Sequence, residues 1–251
     1  MASRPPPIRL GIIVPSSNTA LEPLTNALLL SINASLPASS PKLTAHYTRI
    51  PITSISLTPS ALSQFDPRAL LSAAVLLSHA NVSLIGWSGT SSGWLGFAHD
   101  TSLCSLIEQE TGIKATTSIL GLNRAMEIWG VKKMGLVTPY MDDVQATIVE
   151  NYNGIGIEIV ERHMGVERNG DIAEVGEEVL DGLVGEVVAG GVDVVSTFCT
   201  NLVAAQRVGF WEGIYGVPVF DTVTTVVWDM CRILDVDLSN VKEWGIIFSK
   251  K

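Results

Sequence analysis

Two stretches of the sequence share one pattern: LIGWSGTSSGWL at residues 84–95 and VVSTFCTNLVAA at residues 194–205. Each begins with a short apolar run that predicts a buried strand, passes through a turn of small residues, and ends in a run that predicts a helix. The second turn carries Cys199, whereas the first carries Gly89 at the matching place. The chain therefore contains two strand–turn–helix units of the same design, and only one of them has a thiol.

The same alternation runs along the whole chain. Short, β-branched apolar runs predict eight strands, at Ile8–Val14, Leu43–Ile50, Val82–Ser88, Lys114–Thr117, Met134–Thr138, Ile157–His163, Val192–Phe198 and Val217–Phe220. Helical spacing predicts helices over Ala61–Ala80, Thr101–Thr111, Gly121–Trp129, Asp142–Tyr152, Ile172–Ala189 and Thr222–Leu234. Strands that alternate with helices and are apolar on both faces predict an α/β fold, with parallel sheets covered by helices on both faces.

An internal repeat indicates two similar halves. RLGIIVPSSN at 9–18 is similar to KMGLVTPYMD at 133–142, since each has a glycine, a strand, a proline and polar residues that open a helix. We expect a first α/β domain from residues 1–120 plus 222–251 and a second from residues 121–221. The alternative is one continuous, doubly wound sheet.

Ligands of open α/β sheets bind at the carboxyl ends of the strands. If the two halves face each other, four turns meet in one cleft: Pro15–Asn18, Gly89–Ser92, Pro139–Asp142 and Cys199–Asn201. Apart from the thiol, the candidate side chains are neutral hydrogen-bonding groups: Ser16, Ser17, Asn18, Thr90, Ser91, Tyr140, Thr200 and Asn201. Such donors suit a carboxylate or an enediolate, which they would stabilise by fixed dipoles without a metal.

Composition excludes several classes of function. The 251 residues are 47% hydrophobic and carry a net charge of −9, which disfavours binding to nucleic acid. There is no apolar run of 18 residues and no apolar leader, and three cysteines make no disulfide or zinc pattern, so we expect a cytoplasmic protein that does not bind membranes. GTSSG lacks the lysine of a phosphate-binding loop, so we expect no cofactor, and GWSGT breaks the serine-hydrolase pattern. The sequence has no HExxH motif and no paired-histidine spacing, so we expect no metal.

Cys199 has two interpretations from its position alone. A cysteine between a buried strand and a helix start can have a lowered pKa and act as an acid or base. A small buried hydrophobic residue is the other interpretation. Trp87, Trp94 and Leu95 are candidates for an apolar wall of the cleft.

Five motifs together resemble the aspartate/glutamate racemase superfamily, and within it the maleate isomerase and arylmalonate decarboxylase branch. They are IIVPSSNTALEP at 12–23, GTSSGWLG at 89–96, VTPYMDDV at 137–144, RNGDIAEV at 168–175 and FCTN at 198–201. The resemblance implies two pseudo-symmetric α/β domains with the active site in the cleft between them. It also implies that racemases and isomerases use two cysteines, one from each half.

The resemblance assigns roles to individual residues. The second cysteine corresponds to Cys199, and the first would fall at Gly89. Arylmalonate decarboxylases are similar at this position, since they have a GTS turn without cysteine. The catalytic set implied is Cys199 with Tyr140, Thr90 and Ser91. The substrate-binding set implied is Pro15, Ser16, Asn18, Ser88, Gly89, Asn169, Thr200 and Asn201. The PSSN and RNGDIAEV segments are more similar to maleate isomerases, whereas the GTS turn is more similar to decarboxylases.

Three functions follow as hypotheses. One cysteine suffices for a cofactor-independent decarboxylase of a substituted malonate or related dicarboxylate, in which Cys199 protonates the enediolate on one face. The second hypothesis is an isomerase or racemase of a small dicarboxylate, in which Ser88 or Cys199 alone does the work. The third is a carboxylate-binding protein without catalysis. The expected partner is a small dicarboxylate, and the sequence is compatible with a homo-oligomer.

Overall fold

The protein is described from a computed structural model, which covers residues 5–166 and 168–250. Two separate four-stranded parallel sheets form its centre, so the alternative of one continuous sheet is wrong. The first has the order β2-β1-β3-β4, with strands at Ile8–Pro15 (β1), Leu43–Ile50 (β2), Leu84–Trp87 (β3) and Ala115–Thr117 (β4). The second has the order β6-β5-β7-β8, with strands at Lys133–Thr138 (β5), Glu158–His163 (β6), Val194–Thr197 (β7) and Val219–Asp221 (β8). The identical strand order confirms the repeat predicted from the sequence.

Helices connect the strands and cover the sheets, as parallel pairing requires. Their bounds are Leu21–Ser35 (α1), Pro59–Leu62 (α2), Pro67–His79 (α3), Ser92–Leu95 (α4), Phe97–Thr111 (α5), Ser118–Trp129 (α6), Asp142–Gly154 (α7), Glu177–Ala189 (α8), Val208–Tyr215 (α9) and Thr222–Ile233 (α10). Short 3₁₀ helices lie at Ser63–Phe65, Asn169–Glu174, Ala205–Arg207 and Ile246–Ser249. No helix within the described ranges is long and apolar enough to cross a membrane.

Two predicted helices are shorter than expected. The helix predicted over Ala61–Ala80 breaks before Pro67, because proline disfavours helical backbone at the preceding residue. Asp66 is extended there, and its side chain accepts a hydrogen bond from the Arg68 N–H, so a new helix begins. The helix predicted over Ile172–Ala189 begins only at Glu177, after a 3₁₀ turn.

The matching glycines of the repeat explain how helices pack on the two sheets. A Cβ atom at Gly11 in β1 would lie 2.9 Å from Val82 and 3.2 Å from Leu77 of α3, and one at Gly135 in β5 would lie 2.8 Å from Val187 of α8. A larger residue would force these neighbours away, so each glycine permits a close approach to its central strand.

The last long helix, α10, is buried on every side, with all residues from Thr222 to Cys231 inaccessible to solvent. Thr225 donates to the Ser118 carbonyl of α6 at 2.8 Å. Helix α10 contacts β3 and β4 of the first sheet and β8 of the second. The division of the chain at residues 120 and 222 therefore stays a prediction.

Candidate active site

The predicted turns meet between the two sheets, at the carboxyl ends of β1, β3, β5 and β7. They line one small, partly enclosed pocket. Its lining consists of Pro15, Asn18, Ile52, Ile55, Phe65, Trp87, Gly89, Thr90, Ser91, Trp94, Tyr140, Asn169, Cys199, Thr200 and Asn201. Every residue of the two sets named from the sequence lies here except Ser16 and Ser88.

Ser16 and Ser88 are not part of the pocket lining. The Ser16 hydroxyl donates to the Ile52 carbonyl at 3.2 Å and accepts from the Ile52 N–H at the same distance, so it connects two loops. The Ser88 side chain is fully buried, and its hydroxyl has no hydrogen-bond partner among the described residues. Its position does not support the interpretation that Ser88 replaces the missing first cysteine.

Three catalytic candidates are in direct contact. The hydroxyls of Thr90 and Tyr140 lie 2.6 Å apart, which joins the first half to the second. The Tyr140 hydroxyl also lies near Cys199, where it lowers the pKa of the thiol. Burial raises the pKa of Tyr140 well above its ordinary value, so its hydroxyl keeps its proton and acts as a donor.

The pKa of Cys199 is not lowered, as one interpretation of its position in the sequence expected. Burial raises the pKa of its thiol to about 11, although the Asn201 N–H, 3.5 Å from the sulfur, and the Tyr140 hydroxyl both favour the thiolate. The expected helix start does not follow it, because α9 begins only at Val208. Cys199 is therefore a neutral thiol at pH 7, a proton donor rather than a resident thiolate.

The asparagines hold the two halves together. Asn18 donates to the Thr200 hydroxyl at 3.1 Å, and its own oxygen accepts from the Leu21 N–H at the start of α1. Asn201 accepts from the Thr19 N–H at 3.0 Å and donates to the Asn169 carbonyl at 2.6 Å. These amide groups fix the relative position of the turns that carry the catalytic candidates.

The glycine of the first turn is in close contact with an aromatic ring. A Cβ atom at Gly89 would lie 2.2 Å from Cζ2 of Trp87. Trp87 is almost fully buried and its indole N–H points to the Ser91 hydroxyl at 3.5 Å. Any larger side chain at position 89, a cysteine included, would have to displace this ring.

An apolar wall completes the pocket. Trp87 and Trp94 belong to it as expected, whereas Leu95 does not. Ile52, Ile55 and Phe65 are additional members that the motifs did not indicate, because they come from the connection between β2 and α3. Only the three-dimensional packing brings this connection over the turns.

No charged side chain lines the pocket. Two buried carboxyl groups support the turns from behind. Asp100 accepts from the hydroxyls of Ser92 and Thr117, and Asp221 accepts from the Thr197 hydroxyl at 2.6 Å. Within residues 5–166 and 168–250, no cluster of three histidine, cysteine or acidic side chains could hold a metal ion.

Comparisons with known proteins place the chain in a family. The family model for arylmalonate decarboxylase matches residues 37–246. A maleate isomerase of Pseudomonas putida is 25% identical over 91% of this chain and 92% of its own, and one of Alcaligenes faecalis is 25% identical over 96% of each.

Solved structures share the fold. The maleate isomerase Iso from Pseudomonas putida superimposes with a TM-score of 0.86 at 24% identity, over 96% of this chain and 98% of that one. A glycine-to-cysteine, cysteine-to-serine double mutant of arylmalonate decarboxylase gives a TM-score of 0.79 at 19% identity, over 98% of this chain and 100% of that one. The match over residues 37–246, with the two-domain α/β fold, shows that the chain belongs to the arylmalonate decarboxylase family, in the branch that it shares with the maleate isomerases.

Proposed function

We propose that this protein is a cofactor-independent decarboxylase of a substituted malonate or a related dicarboxylate. The observation that supports this reaction best is the contact between Gly89 and Trp87. Racemisation by two bases and covalent cis–trans isomerisation need a reactive group at both turns, and the ring of Trp87 fills the space that a side chain at position 89 would need. The Cys199 thiol is then the one reactive group that the two turns provide.

The first step breaks the bond between Cα and one carboxylate. The bonding electron pair stays on the substrate as CO₂ leaves, so the remaining carboxylate becomes an enediolate with extra negative charge. Thr90, Ser91 and Tyr140 provide hydroxyl donors for that charge, and the Thr200 backbone N–H makes no hydrogen bond within the described residues. In another enzyme, removing one such donor raises the barrier by about 2.7–4 kcal/mol.

The second step adds a proton to Cα. The Cys199 thiol donates it and becomes a thiolate, which then takes a proton from water. Because the pKa of the thiol is raised to about 11, the donor is present in nearly every molecule at pH 7. The same pKa disfavours a Cys199 thiolate that would attack a double bond, since the thiolate is the nucleophilic form.

Cis–trans isomerisation of a small dicarboxylate such as maleate is the second candidate. The curated relatives named above are maleate isomerases, and their names support this reaction more than decarboxylation. Asn18 and Asn169 also lie at the pocket, where the isomerase resemblance assigns them. A chain that binds carboxylates without turnover is the third candidate.

Product identity separates the three candidates. The purified protein is incubated separately with phenylmalonate and maleate, and the products are followed by NMR. We expect phenylacetate from phenylmalonate and no fumarate from maleate. Fumarate as the main product would overturn decarboxylation in favour of isomerisation. Ligand-induced thermal stabilisation without any product would favour the binding protein.

A further inference from the structure

Trp94 lies at the boundary between the apolar wall and the catalytic hydroxyls. Its ring packs edge-on against Phe65, with 5.6 Å between the ring centroids, and against Tyr140 at 5.3 Å. The side chain lines the pocket and is 6% exposed. Its indole N–H is buried and has no acceptor among the described residues. Buried donors without a partner are rare in folded proteins, and each one calls for an explanation.

Most other donors of the pocket are already engaged within the protein. Thr90 and Tyr140 bond to each other, and the Trp87 indole donates to Ser91. The remaining amide and hydroxyl donors bond to protein atoms across the cleft, namely Asn18 to Thr200, Asn169 to Ser17, Asn201 to the Asn169 carbonyl, and Thr200 to the Ser88 carbonyl. Among the described residues that line the pocket, only Trp94 has a buried side-chain nitrogen or oxygen atom without a hydrogen-bond partner.

The substrate of the proposed reaction has two carboxylates, and the pocket offers no cation to either. The Thr90–Tyr140 bond uses only one of the two hydroxyl protons, and Ser91 only accepts within the described residues. These three side chains therefore keep two protons for one carboxylate, the one that becomes the enediolate. We propose that Trp94 is a specificity-determining residue whose indole N–H donates to the second carboxylate of the substrate. This inference rests on the proposed dicarboxylate substrate, and it holds for decarboxylation and isomerisation alike.

A single neutral donor suits a carboxylate that leaves as CO₂. The leaving group loses its charge as the bond to Cα breaks, so any interaction with that charge is weaker in the transition state than in the bound substrate. An arginine or lysine would hold the ground state more strongly and raise the barrier. Trp94 selects a dicarboxylate with a smaller penalty than a charged residue would impose, so its loss should raise KM and leave kcat unchanged or higher.

The test uses Trp94→Phe, which keeps an aromatic ring and removes the N–H. Its affinities are compared with those of the natural chain for two matched pairs of ligands: phenylmalonate with phenylacetate, and maleate with cis-2-butenoate. Each pair differs by one carboxylate. Both chains carry Cys199→Ala for this comparison, so that the dicarboxylates are not consumed while ligand-induced thermal stabilisation measures their affinities. Trp129→Phe is the control, because Trp129 packs against Phe220 away from the pocket.

We expect Trp94→Phe to bind the dicarboxylate of a pair about tenfold more weakly, which corresponds to about 1.4 kcal/mol. Its affinity for the monocarboxylate should change by less than about twofold. Equal losses for both members of each pair, or no loss, would overturn the role of the N–H. Failure of either dicarboxylate to bind the natural chain would overturn it too.

A measurement on the natural chain covers the case in which Trp94→Phe does not fold. The indole proton of Trp94 should shift downfield in the NMR spectrum when a dicarboxylate is added, and should stay in place with its monocarboxylate partner. An unmoved signal with both would contradict the proposal. Decarboxylation is judged separately by the products formed, so fumarate from maleate would refute that reaction and leave the role of Trp94 standing.

Discussion

The two turns that face each other across the pocket follow equivalent strands, β3 and β7, yet they carry different chemistry. The first, at Gly89–Ser92, presents hydroxyls and has a tryptophan ring against its glycine. The second, at Cys199–Asn201, presents a thiol that burial keeps protonated. In the proposed reaction the two turns therefore have different tasks: the first stabilises the developing charge and the second donates the proton.

Removing the thiol of the second turn should have the largest effect. We expect Cys199→Ala to lower the rate of formation of protonated product about 10²–10⁴-fold, the usual contribution of a positioned general acid. Steady-state kinetics with phenylmalonate measures the loss. Cys104→Ala is the control, because Cys104 lies on α5 outside the pocket. Equal activity of the two variants would mean that the second turn does not supply the proton.

The hydroxyl that joins the two turns comes next. Tyr140→Phe removes a donor to the developing enediolate and breaks the 2.6 Å contact with Thr90, so we expect kcat to fall about 10²–10³-fold. Tyr152→Phe serves as the control, since this buried tyrosine bonds to Asn123 and does not line the pocket. If Tyr140→Phe changed only KM, Tyr140 would bind the substrate without stabilising the charge that develops.

A thiol placed on the first turn tests whether Trp87 excludes a side chain there. Because a Cβ at position 89 lies 2.2 Å from the Trp87 ring, Gly89→Cys should lower the free energy of unfolding by about 1–3 kcal/mol, as overpacking does. Denaturant unfolding measures this change. Gly154→Cys is the matched control, since no atom lies within 4 Å of a Cβ there. A Gly89→Cys chain with unchanged stability would show that Trp87 does not block this position.

The carboxyl groups behind the turns should give the smallest effect. Burial raises the pKa of Asp100 to about 6 and that of Asp221 to about 7. The folded chain therefore keeps these two protons between about pH 4 and 7, where the unfolded chain releases them, so the free energy of unfolding falls as the pH rises through this window.

Asparagine cannot titrate, so Asp100→Asn and Asp221→Asn should each flatten that decline. Urea unfolding at pH 4.5 and 7.5 measures the difference between the two conditions. Asp66→Asn is the control, because Asp66 has a lowered pKa and titrates below the window. A decline of the same size in all the variants would mean that the buried carboxyl groups do not cause it.

Much of this architecture is predictable from local sequence. The eight strands lie within the apolar runs or shifted by one or two residues, because fully buried parallel strands need apolar side chains on both faces. The repeated glycine and proline positions also indicated the two halves and the turns at the pocket. Local patterns did not indicate Ile52, Ile55 and Phe65 as pocket residues, because only long-range packing brings them to the turns. They also did not predict the raised pKa of Cys199, which depends on burial and on the late start of α9.

The most direct test of one-sided protonation follows the decarboxylation of methyl(phenyl)malonate in D₂O, with the enantiomers of 2-phenylpropionate resolved. A thiol on one side of the pocket predicts a product that carries one deuterium at Cα and is a single enantiomer, and predicts that Cys199→Ala slows its formation about 10²–10⁴-fold. A racemic deuterated product from the natural chain would show that protons reach both faces, and would contradict the different tasks of the two turns.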